Sequence, residues 1–282
     1  MLGPAQVYLT LIDRVLPVAQ RHSYRFLNDE VYEHWRNSDG FSIQQNNLIL
    51  ASELLDKAHL AAITSLIRNR RWAEAVCDAY KAGNYLAWTG ATRGLLESSG
   101  DILDGLLPIS ISIAENHHAI RACLAGKATK APYILFKELE SLLDHFVLAS
   151  WMRRSKDVDS VRRAKDNVDY VKRLNPFIPD VETLYHRLCA IVHPAAASID
   201  WTYDRAEDGT FKVKANDLSA IDSIVQRWPD TIPTALEVSC NSALLILRVL
   251  HKFDVHPQLS MLKDYNWKQI GGWTKVEAAL RR

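Results

Sequence analysis

The sequence has only four cysteines in 282 residues, and no two of them are closely spaced. Cys77, Cys123, Cys189 and Cys240 each lie in an apolar segment with helical periodicity, where a free cysteine behaves as a small hydrophobic residue. A stabilising disulfide framework is not expected at this length and cysteine content, and the C-x-x-C pairs of common zinc modules are missing. We therefore expect the cysteines to be reduced.

Signals for secretion and for a membrane span are also lacking. The N-terminus has no basic stretch, and its first apolar segment is interrupted by Asp13 and Arg14, so it does not form a signal peptide. No uninterrupted apolar run approaches the ~20 residues of a membrane-spanning helix. These absences predict a cytoplasmic protein without a membrane partner.

Several enzyme signatures are missing as well. The chain has no G-x-G-x-x-G, P-loop, G-x-S-x-G or H-E-x-x-H motif, which argues against Rossmann, ATPase, serine-hydrolase and zincin functions. Glu115, His117, His118 and Cys123 are residue types that bind metals. Adjacent histidines on a helix point about 100° apart, however, and no second ligand cluster accompanies them. The sequence therefore predicts neither a metal site nor a cofactor.

Positive and negative charges are nearly equal in number, since the chain has 34 lysines and arginines and 33 aspartates and glutamates. Without a global field that attracts nucleic acid, an RNA-binding surface would have to be a local patch. The most basic segment is 151–173. Its candidate nucleic-acid-binding residues are Arg153, Arg154, Arg162 and Arg163, to which Arg68, Arg70 and Arg71 could add. The alternative, which is the commoner outcome for such a segment, is a solvated helix face.

Helical periodicity is what the sequence has in abundance. Apolar residues recur three or four positions apart through most of the chain, as in amphipathic helices. The predicted helices are 5–20, 26–35, 46–67, 72–81, 85–106, 110–124, 132–151, 157–174, 180–193, 218–228 and 232–253. This pattern predicts an all-α protein. Its antiparallel helical bundle would comprise residues 41–254, between helical extensions at residues 1–40 and 255–282.

One segment alternates with a period of two instead. Residues 198–204 and 210–214 flank a turn that contains Asp208-Gly209, a sequence typical of tight hairpin turns. The sequence therefore predicts a small β-hairpin at residues 198–214. It should pack on the helices, because an isolated two-stranded ribbon is only marginally stable in water.

The segment from Asp180 to Pro194 carries the functional argument. Pro179 and Asp180 mark a helix start, while Pro194 disfavours the α conformation at the preceding residue, so the helix should end at His193. Arg187 lies six residues earlier, roughly 240° around the helix axis. The two side chains do not share a helical face, but both could border one cleft at the end of the helix, which a second chain could close.

The stretch Arg187-Leu-Cys-Ala-Ile-Val-His193 resembles the R-x(4–6)-H signature of the HEPN superfamily of small helical bundles. More narrowly, residues 184–194 resemble a group of bacterial helical proteins of unknown function with an R-x-L-x3-V-H-P segment. Those proteins often carry an upstream A-x-R-x-L-L-E-S helix, which residues 91–98 match. The resemblance covers about half of the chain and leaves out the hairpin and both extensions.

The resemblance implies a metal-independent endoribonuclease or toxin, in phage defence or in a toxin–antitoxin system. Nucleases of the HEPN superfamily usually act as homodimers. The partners that the resemblance implies are therefore a second copy of the chain, RNA, and an antitoxin or regulatory protein. Arg187 would neutralise charge on the phosphate, and His193 would act as general base or acid. Many nuclease members have a polar residue directly after the arginine, where this chain has Leu188, and His186 is the candidate substitute.

Two residues on the matching upstream helix are candidate supporting residues. Arg93 and Glu97 stand four positions apart, which is the spacing of an ion pair on a helix surface. Alternatively, Glu97 lies inside the bundle and orients Arg187, since leucines and glycines surround it. The opposing structural hypothesis is that Arg187 only pairs with Glu97 or Glu182. The protein would then be a non-catalytic helical ligand- or protein-binding subunit of a larger assembly.

Overall fold

A computed structural model describes residues 1–129, 137–148, 164–194, 196–214, 217–263 and 265–282. Over these residues the protein is an all-α fold with one small antiparallel hairpin, as the periodicity predicts. The helices are α1 (Gln6–Ala19), α2 (Asp29–Arg36), α3 (Ile43–Lys81), α4 (Tyr85–Glu115), α5 (His117–Leu124), α6 (Lys137–Leu148), α7 (Asn167–Lys172), α8 (Val181–Val192), α9 (Leu218–Arg227), α10 (Thr231–Leu250) and α11 (Trp273–Arg281). The strands are β1 (Tyr203–Arg205) and β2 (Phe211–Val213).

The chain divides into two compact units, each built from three separate stretches. Unit 1 comprises Met1–Ile12, Leu66–Asp104 and Asp166–Cys240. Unit 2 comprises Asp13–Ser65, Gly105–Lys165 and Asn241–Arg282. Compactness alone does not define folding domains, so the division into residues 1–40, 41–254 and 255–282 stays a prediction.

The two longest helices exceed their predicted lengths. Helix α3 has 39 residues and continues through Arg68–Arg71, where the sequence pattern predicted a break between two helices. Within this stretch Arg70 and Arg71 pair with Glu74 one turn further along, at 2.8 and 3.2 Å, as is common on a helical surface. Helix α4 has 31 residues and passes through Pro108.

Helix α4 packs closely on its neighbours in unit 1 because two of its glycines leave space. A β-carbon at Gly94 would lie 2.5 Å from the ring of Trp72. One at Gly100 would lie 2.1 Å from the carbonyl oxygen of Tyr170, which belongs to α7. Both distances are far below van der Waals contact, so neither position has room for any side chain. Glycine at these positions therefore sets how near Trp72 and α7 come to α4.

The hairpin is shorter than the sequence pattern predicts. Tyr203 pairs with Val213 and Arg205 with Phe211, while Ala196–Ser198 and Asp200–Thr202 form 3₁₀ turns instead of strand. Gly209 adopts a φ of 83°, which the turn requires. In the turn, the Asp208 carboxylate accepts hydrogen bonds from the backbone N–H and the hydroxyl of Thr210.

Helix α10 is long and apolar enough to span a membrane by length and composition, with a mean hydropathy of 1.3 over its most apolar window. Its apolar character is interrupted by polar residues, so it contains no continuous apolar run of about 20 residues. Within the structure 72% of that window is buried, which is the burial of a core helix.

Candidate functional site

Helix α8 has the boundaries that the sequence predicts. It begins after Asp180, which has a left-handed backbone with a φ of 56° and makes no capping hydrogen bond through its side chain. It ends at His193, whose extended backbone (φ −78°, ψ 144°) is the conformation that the following proline favours. The backbone N–H of His193 still donates to the carbonyl oxygen of Cys189, so the side chain leaves from the last turn of the helix.

Helix α8 has one buried and one exposed face. Val181, Leu184, Leu188 and Ile191 are buried, and Leu188 has no exposed surface at all. Arg187 and His193 are both exposed, and so is His186. The side chains that the sequence analysis assigns to catalysis are therefore accessible to a ligand.

Tyr85, the first residue of α4, holds Arg187 in place. The Tyr85 side chain is buried, with 3% of the residue exposed, and Arg187 makes a side-chain hydrogen bond to its hydroxyl. Burial raises the pKa of Tyr85, and the charge and hydrogen bond of Arg187 partly offset that rise. Trp201 packs edge-to-face on the Tyr85 ring at 5.1 Å and donates its indole N–H to the Ser198 carbonyl oxygen. This arrangement ties the segment before the hairpin to the arginine.

No sequence pattern pointed to Tyr85. It lies about a hundred residues before Arg187, at an ordinary helix start, and only the packing of α4 on α8 brings the two together. A guanidinium offers five N–H donors, and the phenol accepts from one side of it. Arg187 is therefore oriented by the protein while donors remain for a phosphate.

Glu97 binds α8 through a residue other than Arg187. Its Oε1 atom accepts a hydrogen bond from the Tyr185 hydroxyl at 2.7 Å and another from Arg93 Nε at 2.8 Å. Burial, followed by the hydrogen bond to Glu97, raises the pKa of Tyr185. The guanidinium of Arg93 also lies 5.8 Å from the centre of the Tyr185 ring. Arg93 and Glu97 therefore anchor α8 two residues before the candidate catalytic arginine.

The purely structural hypothesis for Arg187 needs an acidic partner. Glu97 is occupied by Arg93 and Tyr185, and Glu182 accepts a hydrogen bond from Asn175 at 2.6 Å. In the described part of the chain, no ion pair joins Arg187 to a carboxylate. The positive charge of Arg187 is therefore available to an anion.

The predicted nucleic-acid-binding arginines, Arg153, Arg154, Arg162 and Arg163, lie outside the described residues. The basic residues that could add to them are largely neutralised. Arg68 pairs with Asp101 at 2.5 Å, and Arg70 and Arg71 share Glu74. This second group therefore offers less positive charge to RNA than its sequence suggests.

Unit 2 has an open cleft of about 860 Å³ that sequence reasoning missed. The ionisable side chains in its lining are Glu30, Glu33, Glu53, Glu140, Asp144 and a single lysine, Lys57. Lys57 is already paired with Asp144 at 2.7 Å. A lining with this excess of carboxylates repels a phosphate backbone, so the cleft does not add to a site for RNA.

The residues of metal-binding type near α5 do not converge on a common point. His117 is buried, and its Nδ1 lies 2.8 Å from the carbonyl oxygen of Ala114, while His118 next to it is exposed.

Comparisons of the chain with protein-family models, with curated proteins and with solved structures give no match. The likeness to HEPN proteins thus stays a prediction that depends on the motif residues themselves.

Proposed function

We propose that this protein is a metal-independent endoribonuclease of the HEPN kind, with Arg187 and His193 as its catalytic residues. One observation carries the proposal: both side chains are exposed on α8, and Tyr85 orients the arginine without neutralising its charge. A guanidinium that stabilises the charge of the transition state and an imidazole that accepts a proton are the two groups that phosphate ester cleavage needs.

The chemistry proposed is an internal transesterification of RNA. The 2′-oxygen attacks the adjacent phosphorus, and its proton passes to an imidazole nitrogen of His193, which acts as the general base. The bond from phosphorus to the 5′-oxygen breaks, and that oxygen takes up a proton from water. Arg187 donates hydrogen bonds to the phosphate oxygens, whose negative charge increases in the transition state. The products are a 2′,3′-cyclic phosphate and a 5′-hydroxyl.

The proposal includes a second copy of the chain. Arg187 and His193 leave α8 in different directions, so a partner that brings its own pair closer would complete a cleft. Apolar side chains exposed around the end of α8 and the hairpin support self-association: Val192 at 40%, Ile199 at 57%, Phe211 at 61% and Val213 at 80%. In this function the enzyme is a toxin or an antiviral effector that an antitoxin or regulatory protein restrains.

The test is cleavage of labelled RNA by the purified chain in buffer that contains a chelator. The variants are Arg187→Ala and His193→Ala, and the matched controls are Arg281→Ala and His118→Ala, which remove exposed side chains elsewhere. Circular dichroism confirms that each variant is folded. A second substrate carries a single 2′-deoxy nucleotide at the cleavage position.

We expect each of the two site variants to lower the rate at least about 100-fold, the typical loss when a general base or a transition-state donor is removed. The controls should cleave like the wild type. The product should end in a 2′,3′-cyclic phosphate, and the 2′-deoxy substrate should resist. Cleavage that survives both site variants, or that requires the metal removed by the chelator, would contradict the proposal.

A second candidate function is favoured by Leu188. This residue takes the position of a polar residue in many HEPN nucleases, and here it is fully buried. The alternative is a non-catalytic subunit in which Arg187 anchors a phosphate or a protein carboxylate. Fluorescence anisotropy with the same RNA separates the two. Binding without cleavage that Arg187→Ala abolishes and His193→Ala leaves intact would favour the binding subunit.

A further inference from the structure

Four side chains from three distant segments meet in unit 2, and the proposed function uses none of them. His22 follows α1, Asp56 and His59 lie on α3, and His256 follows α10. One oxygen of Asp56 lies 3.2 Å from Nε2 of His22 and 2.9 Å from Nε2 of His256. The potential ligand atoms of His22, Asp56 and His256 all lie within 4.8 Å of one another.

These separations fit a metal ion at the centre of the three atoms. Zinc bonds of about 2.0–2.1 Å in a tetrahedron place neighbouring ligand atoms roughly 3.3 Å apart. The two measured distances from the Asp56 oxygen, 3.2 and 2.9 Å, are close to that value. The ligand atoms of the two imidazoles lie within 4.8 Å of each other, and a bound metal would draw them closer.

The charge of the cluster also favours a cation. Asp56 has no lysine or arginine partner among the described residues, and its partners there are two imidazoles. Its side chain is largely buried, at 18% exposed. A carboxylate in such a place is costly without a compensating positive charge, which a divalent ion would supply. Neutral imidazoles are good ligands for zinc and related metals and poor ligands for magnesium and calcium.

The surroundings hold the ligands in a fixed arrangement. The His59 ring stacks on His256 with centroids 4.3 Å apart and an angle of 3°, and its Nδ1 lies 2.7 Å from the Tyr24 hydroxyl. His256 itself is almost fully buried, with 2% of its side chain exposed. His22, by contrast, is 19% exposed, so solvent reaches one side of the cluster. Packing of this kind orients a ligand set before the metal arrives.

We propose that His22 Nε2, Asp56 Oδ1 and His256 Nε2 bind one divalent transition-metal ion, zinc by preference, with a solvent molecule in the fourth position. Three protein ligands with one open position is the arrangement in which zinc also reaches a substrate atom. His59 and Tyr24 form the wall behind the ligands. This site is independent of the proposed ribonuclease function, because it lies in unit 2 and shares no residue with Arg187 or His193.

The test uses the untagged full-length chain after removal of metal with a chelator, and the probe is zinc alone, titrated by calorimetry. Cobalt serves as a second probe, because its visible absorption reports tetrahedral coordination and would show any thiolate ligand from a cysteine. The variants are His22→Ala and Asp56→Asn, which change the more exposed ligands so that the chain still folds. His34→Ala removes an exposed histidine on α2 as the matched control.

We expect the wild type to bind one zinc ion per chain and to melt at a higher temperature with zinc than without it, because binding to the folded state stabilises it. Each ligand variant should lose at least about 100-fold in affinity, since even outer-shell changes cost 10–100-fold. His34→Ala should bind like the wild type. Equal zinc binding by the wild type and both ligand variants would overturn the proposal. A wild type that binds no zinc, or binds magnesium equally well, would overturn it too.

Discussion

Substituting Gly100 with alanine tests how much the close packing of α4 on α7 contributes to stability. The added β-carbon would lie 2.1 Å from the Tyr170 carbonyl oxygen, an atom of the backbone that cannot rotate away. Contact without strain would require α7 to shift by more than about 1 Å. Overpacking of this kind costs about 1–3 kcal/mol and occasionally more. Because the obstructing atom belongs to the backbone, the cost should be near the upper end, about 3 kcal/mol; alanine gains about 1 kcal/mol over glycine within a helix, which leaves a net loss of about 2 kcal/mol.

Gly90→Ala is the matched control on the same helix. A β-carbon there meets no atom within 4 Å, so only the helix propensity changes, and the free energy of unfolding should rise by about 0.5–1 kcal/mol. Urea denaturation followed by circular dichroism measures both changes. The two variants should therefore move the midpoint in opposite directions. Equal stabilisation by both substitutions would show that α7 can move away from α4 without a loss of stability. It would contradict the energetic cost expected of the close approach.

Tyr85→Phe should lower the rate of RNA cleavage about tenfold, mainly through kcat, because Arg187 keeps its charge but loses the hydroxyl that orients it. An unchanged rate would exclude Tyr85 as a positioning residue. Burial lowers the pKa of His251 to about 4, while the unfolded residue takes up a proton near pH 6.5. The free energy of unfolding should therefore fall as the pH drops from about 6.5 to 4. The slope should be below the ideal of about 1.4 kcal/mol per pH unit, because the side chain is partly exposed. His251→Gln should flatten that slope in denaturation curves recorded at several pH values. Asn69→Ala should cost about 1–3 kcal/mol of unfolding free energy, because the buried Ser239 hydroxyl loses a donor at 2.9 Å.

The fold class and the helix that carries the site follow directly from sequence patterns. The apolar stripe of α8 faces the interior because its spacing allows only one face to be buried, and Pro194 ends the helix through a local steric effect. Both effects act within a few residues. They can therefore be predicted without knowing what surrounds the helix.

What the sequence does not predict depends on contacts between distant segments. Helix α3 continues through residues 67–72, where Asn69 is buried and donates a hydrogen bond to Ser239, 170 positions away. The link from Tyr85 to Arg187 arises only when α4 packs on α8.

The cluster of His22, Asp56 and His256 is the extreme case. The three residues come from segments up to 234 positions apart, and only the spacing of Asp56 and His59, which places both on one face of α3, could have hinted at it.

The two candidate sites make opposite demands on metal, so one preparation can separate them. Cleavage by Arg187 and His193 uses only side-chain donors and a proton acceptor, and a chelator should leave it intact. The cluster around Asp56 should lose its ion in the same buffer, with a lower melting temperature as the result. A chelator that lowered stability while cleavage continued would therefore support both assignments together. If cleavage stopped and His22→Ala stopped it as well, the reaction would depend on the metal cluster, and the role assigned to His193 would be wrong.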